Sequence, residues 1–142
     1  MFEFDISLNE LLFNDLPCKT FSQRLSKAKS VVDYSQRTLS EATGLSLSTI
    51  NELEAGYRDN ISRCTLNKLL TVLDEKILCD DYCNFILNQE NEVKKILHIY
   101  NINILSNLLK VHRSTIERWC SGKYQISRKQ YELIQMLIAD EH

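Results

Sequence analysis

The sequence predicts an all-α fold made of two small helical units, and three observations predict it. Glycine and proline are scarce, at three and one in 142 residues, too few for the many tight turns of a sheet-rich chain. Apolar residues recur at helical spacing, as at Leu66, Leu69, Leu70 and Leu73. A short pattern also occurs twice. SLSTINELEAG over residues 46–56 and HRSTIERWCSG over 112–122 share Ser-Thr-Ile and a glycine six positions after the isoleucine. The length suits two modules of about 60 residues each.

The elements follow in order. Ser7-Leu8-Asn9-Glu10 has the form of a capping box, and Leu8, Leu11, Leu12 and Leu16 then share a face before Pro17, so a helix is expected over 8–15. Phe2, Phe4 and Ile6 alternate with polar residues, which makes a short strand the competing reading there. Phe21, Leu25, Ala28 and Val32 step along one helical stripe. Ser35 can cap a helix over 36–43 that Gly44 ends, and Ser46 one over 47–55 that Gly56 closes in the left-handed conformation. Ser62 can cap a fourth. A connecting helix fits 80–87. Val93, Ile96, Leu97 and Tyr100 then start a second series, with helices expected over 103–110 and 113–121, closure at Gly122, and a last helix opened by Ser127 and running to about residue 139.

With an offset of 66 residues, Leu39 aligns with Leu105, Ser40 with Ser106, Leu45 with Val111, Ser48-Thr49-Ile50 with Ser114-Thr115-Ile116 and Gly56 with Gly122. Dropping one residue then pairs Ile61-Ser62 with Ile126-Ser127. Such a repeat is an internal duplication or convergence on one unit. The expected organisation is an acidic segment over 1–20, a first unit over 21–73, an acidic connecting segment over 74–89 and a second unit over 90–142.

Charge is segregated behind a net value of −2. Residues 74–93 hold six acidic residues against Lys76, whereas 94–131 hold eight lysines and arginines against Glu117. A basic block beside acidic ones points to a charged surface directed at an anionic partner. No apolar run reaches the roughly 18 residues that cross a bilayer, and no basic secretory start is present, so a cytoplasmic protein without membrane contact is expected. The five cysteines are odd in number and scattered, as in a reducing compartment. Cys79 and Cys83 would share one helical face at i,i+4, with ordinary buried thiols favoured over a metal role. No Gly-Lys-Ser/Thr phosphate loop and no His-Glu-x-x-His occurs, and neither an enzymatic activity nor a cofactor is expected.

Two short helices crossing at a tight turn form a helix-turn-helix, whose second helix packs one face inward and offers the other to the major groove. In the first unit Ile50 and Leu53 would point inward, leaving Leu47, Ser48, Asn51 and Glu52 outward. In the second, Ile116 and Trp119 would be core, leaving Arg113, Ser114, Glu117 and Arg118 outward. Residues 35–56, SQRTLSEATGLSLSTINELEAG, resemble the Cro/C1-type (Xre) helix-turn-helix of phage repressors and bacterial regulators in their Ser-Gln opening, turn glycine, Ser-x-Ser-Thr-Ile and Leu-Glu-x-Gly. The resemblance covers about residues 21–73. It implies a lambda-repressor-like bundle of about five helices that binds double-stranded DNA, usually as a dimer. It also implies that Gln36 lies near a phosphate or base, that Leu47, Ser48, Asn51 and Glu52 face the groove, and that Tyr57 and Arg58 lie near the backbone. Glu52 departs from the family, where a basic or amide residue is common, so Arg37, Arg58 and Arg63 must provide the first unit's positive field.

The second unit is the less typical motif and the better DNA reader. Ile102 replaces the glutamine, Lys110 the turn glycine and Cys120 the glutamate, yet Arg113 and Arg118 can each grip a guanine. Lys110, His112, Lys123, Arg128 and Lys129 can neutralise phosphates, with His112 evenly balanced between that and no role. The expected function is a repressor-like transcriptional regulator, acting as a homodimer through the last helix or the N-terminal segment, or as a pseudo-dimer on two unlike half-sites. The competing class is a protein-interaction module, such as an antitoxin or a phage-encoded inhibitor, that binds a protein partner with the same fold. The last helix is apolar around most of its circumference, which suits an oligomer interface or a deep core.

Overall fold

Small polar residues set where the helices begin. In the computed structural model, which describes residues 16–57 and 61–141, Thr20 Oγ1 accepts from the Gln23 amide at 3.2 Å while Gln23 Oε1 accepts from the Thr20 amide at 3.2 Å. This capping box opens α1 (Phe21–Val31). Ser35, Ser46 and Ser62 cap α2 (Gln36–Thr43), α3 (Leu47–Ala55) and α4 (Arg63–Leu70) by the same kind of bond, each at 3.1 Å. Asp74 caps the short α5 (Glu75–Leu78). The chain continues through α6 (Asp81–Leu87), α7 (Gln89–Ile99), α8 (Ile102–Leu109), α9 (Arg113–Ser121) and α10 (Arg128–Glu141). Every regular element among the described residues is a helix, so the fold is all-α. The helix expected over 8–15 and the competing strand lie outside the described residues.

The chain divides into two compact units, residues 1–80 and 81–142. In the first, α1 packs on α3 and α5, and α2 packs on α3. Phe21, Leu25, Ala28 and Val31 of α1 are buried with Leu39, Ile50, Leu53, Leu66 and Leu69. Val31 takes the inward place expected for Val32, which instead caps the helix end. Each such side chain removed from water contributes roughly 1.5–3 kcal/mol before chain entropy is counted. In the second unit α9 packs on α7 and α8, and α10 packs on α8. Val93, Ile96, Leu105, Leu109, Ile116, Trp119, Ile126 and Ile134 are buried there.

The acidic stretch 74–89, expected to connect, is divided between the units and packed. Its apolar residues explain this: Leu78 and Cys79 are buried in the first unit, and Tyr82, Cys83, Phe85 and Ile86 in the second. Arg24 fastens α5 to α1 by donating to the carbonyls of Ile77 at 3.1 Å and Cys79 at 3.3 Å. Cys79 and Cys83 consequently do not share a helical face. Cys79 closes α5 in extended backbone conformation and Cys83 sits in α6.

Candidate nucleic-acid interface

The turn between α2 and α3 is fixed locally. Gly44 adopts φ 78°, its amide donates to the Ser40 carbonyl at 2.9 Å, and Ser40 Oγ donates to the Leu45 carbonyl at 2.6 Å. The turn between α8 and α9 uses the same bonds at the equivalent positions. The Lys110 amide donates to Ser106 O, and Ser106 Oγ donates to Val111 O at 2.6 Å. Lys110 holds φ 56°, a left-handed conformation that costs a side-chain-bearing residue about 1–2 kcal/mol. After each second helix a glycine takes positive φ, and the next amide reaches back to the helix: Tyr57 N to Glu52 O at 3.1 Å, and Lys123 N to Arg118 O at 2.9 Å.

The burial of Ile50 and Leu53 turns Leu47, Ser48 and Asn51 outward on α3, where all three are exposed, with Glu52 half-buried. These four residues and Tyr57 line a shallow concavity. Leu47 is 49% and Tyr57 82% exposed, so the concavity has apolar and aromatic walls. At the start of α2, Gln36 is half-buried and Arg37 exposed. Arg58 lies outside the described residues.

On α9, Ile116 is fully buried and Trp119 is 2% exposed, which makes Trp119 core. Arg113, Glu117 and Arg118 are exposed and Ser114 half-buried. Arg113 Nε donates to Glu117 Oε1 at 3.2 Å. The Arg118 guanidinium carbon lies 5.0 Å from the centroid of the Tyr124 ring, and its Nη1 donates to Tyr124 Oη at 3.2 Å. Lys110, Lys123 and Lys129 are exposed. Arg128 is half-buried, stacked 4.6 Å from the centroid of Tyr82, a more confined position than a phosphate contact expects. His112 is the N-cap of α9: its Nδ1 accepts from the Ser114 amide at 3.1 Å, so in the neutral ring the proton is on Nε2.

Two further residues, not among those expected from the sequence, shape this face. Gln89, 0% exposed, donates to the carbonyls of Trp119 at 3.0 Å and Tyr124 at 2.7 Å and accepts from the Ile126 amide at 2.9 Å. It locks the chain that leaves α9. Tyr124, two residues after the closing glycine, supplies the surface on which Arg118 lies. Neither carries a spacing signal, and Gln89 sat in the stretch read as a connector.

In the first unit the tie between the equivalent helices centres on a side chain of the second helix rather than of the first. Glu54 of α3 accepts from Ser26 Oγ at 2.8 Å and pairs with Lys29 Nζ at 2.9 Å, both on α1. Among the described residues no helix is long and apolar enough to cross a membrane. Residues 32–78 match the helix-turn-helix family model. No curated protein and no solved structure matches the chain.

Proposed function

We propose, with residues 32–78 being a helix-turn-helix of the Cro/C1 (Xre) type, that the protein is a sequence-specific, repressor-like transcriptional regulator with a second helix-turn-helix formed by α8 and α9. The observation that carries this reading is the outer face of α9. Two arginines and Glu117 are exposed on it, over a helix anchored from behind by Ile116 and Trp119. A helix of this kind fits the major groove, and arginine matches the O6 and N7 acceptors of guanine. Lys110, Lys123 and Lys129 supply phosphate neutralisation. The mechanism is docking at a promoter that blocks or recruits polymerase, and its place is the cytoplasm.

A gel shift with random duplex over a salt series tests the reading. Each phosphate contacted adds about 0.9 to the slope of log affinity against log salt, so a steep decline is expected. Absence of any shift at low salt overturns it.

The homodimer belongs to the same reading. Leu133 and Met136 are exposed on α10, and pairing through that helix would cover them. Sedimentation of the parent and of Met136→Lys tests this, with a shift toward monomer expected. A second reading has its own support in the first unit. The concavity on α3 is walled by Leu47 and Tyr57 and carries Glu52, a surface suited to a protein partner better than to phosphate.

A further inference from the structure

The two arginines on α9 are each held along one edge by a neighbour. Arg113 uses Nε for Glu117, and both side chains of this i,i+4 pair are more than half exposed. An exposed pair of this kind adds little to stability, so its main consequence is orientation. With Nε engaged, the two Nη groups of Arg113 remain as an intact fork, which suits two adjacent acceptors. Arg118 uses Nη1 for the Tyr124 hydroxyl and lies over the Tyr124 ring, which leaves Nε and Nη2 as its two-donor edge.

Tyr124 is itself fixed. Its carbonyl accepts from the fully buried Gln89, and its amide donates to the Arg118 carbonyl at 3.3 Å. The stack is therefore tied to the core of the unit. At about 100° per residue, Glu117 also falls between the two arginines on the outer face of the helix.

We infer that Glu117 and Tyr124 are positioning residues that make Arg113 and Arg118 a guanine-reading pair, each arginine meeting O6 and N7 of one guanine through the edge its neighbour leaves open. An unsupported arginine has many rotamers and can swing to a phosphate, where it reads nothing. Glu117 opposes that swing twice, by holding Nε and by repelling phosphate oxygens. The inference rests on the reading that α9 enters the major groove.

The test uses the full chain. A duplex site is selected from a random pool, and affinity is then measured on that site and on copies in which each guanine is replaced by 7-deazaguanine, which lacks the N7 acceptor. The parent is expected to lose about ten-fold at each of two guanines, since a bidentate arginine–guanine pair carries discrimination of that order. Glu117→Ala, which removes the acceptor for Arg113 Nε as well as the charge, is expected to melt like the parent, to bind random duplex several-fold more tightly and to lose most of the penalty at one guanine. Tyr124→Leu should lose it at the other, and Tyr124→Phe, which keeps the ring and the backbone bonds, should show a partial loss if the leucine variant does not fold. Arg113→Ala and Arg118→Ala separate the two ideas. If these variants bind the selected site like the parent, the groove reading itself fails. If they lose binding while the Glu117 and Tyr124 variants keep the parent's guanine penalties, only the positioning inference fails.

Discussion

Helices α3 and α9 stand at equivalent places in their units and share a packing pattern, but their outer faces differ. Position by position, Leu47, Ser48, Asn51 and Glu52 on α3 correspond to Arg113, Ser114, Glu117 and Arg118 on α9. Behind them Ile50 and Leu53 correspond to Ile116 and Trp119, and all four are buried. The inner positions tolerate few changes because each must fill a fixed volume against neighbouring helices. The outer positions are exposed or half-buried, so charge and size there can differ without refilling the core. The face that matches the family spacing best is thus not the one that carries the arginines.

The largest test of this contrast is in binding. The Arg113→Ala/Arg118→Ala double variant should lose specific affinity by about 100-fold or more, as two base-reading pairs at about 1–3 kcal/mol each imply. Ser48→Ala should change it only a few-fold, and fluorescence anisotropy on the selected site measures both. Equal losses in the two units would erase the proposed division of labour.

The polar ties beneath the faces are next in size. Gln89→Leu leaves the Trp119 and Tyr124 carbonyls and the Ile126 amide without the bonds they have now, and should cost about 2–4 kcal/mol in urea unfolding. Glu54→Gln keeps a hydrogen-bonding side chain toward Ser26 and loses only the charge opposite Lys29, which should cost about 1 kcal/mol. A reversed order would mean that the second unit does not depend on its buried glutamine.

The turns should respond more modestly. At Gly122 a Cβ would stand 2.7 Å from Glu90 Oε1 in addition to the strain of φ 80°, whereas at Gly44 a Cβ meets nothing within 4 Å. Gly122→Ala is expected to cost about 2 kcal/mol and Gly44→Ala about 1 kcal/mol, compared by thermal melts. Smallest of all, Lys110→Gly relieves a left-handed side-chain-bearing residue and should raise stability by about 0.5–1 kcal/mol. It should also lower the salt slope by about one if Lys110 meets a phosphate.

Much of this architecture was legible in the residues. The bounds 36–43, 47–55 and 113–121 coincide with α2, α3 and α9, because a capping side chain and a closing glycine act within one turn of the chain. The repeat between residues 39–56 and 105–122 likewise marked where equivalent backbone bonds occur. His112 was harder to read, since the alignment set it opposite Ser46 and a histidine is an uncommon cap. Burial of the acidic stretch 74–89 was hidden by its charge count, which masks the apolar residues standing among the carboxylates.

Local order and inward stripes were therefore set by the chain itself, through interactions that span three or four residues and repeat with the helical period. What the tertiary structure alone decided is how the polar side chains are used. Gln89 binds residues 30, 35 and 37 positions away. No periodicity carries information over such separations, because these bonds exist only once α7, α9 and the following loop have been brought together by the burial of Val93, Ile116 and Trp119.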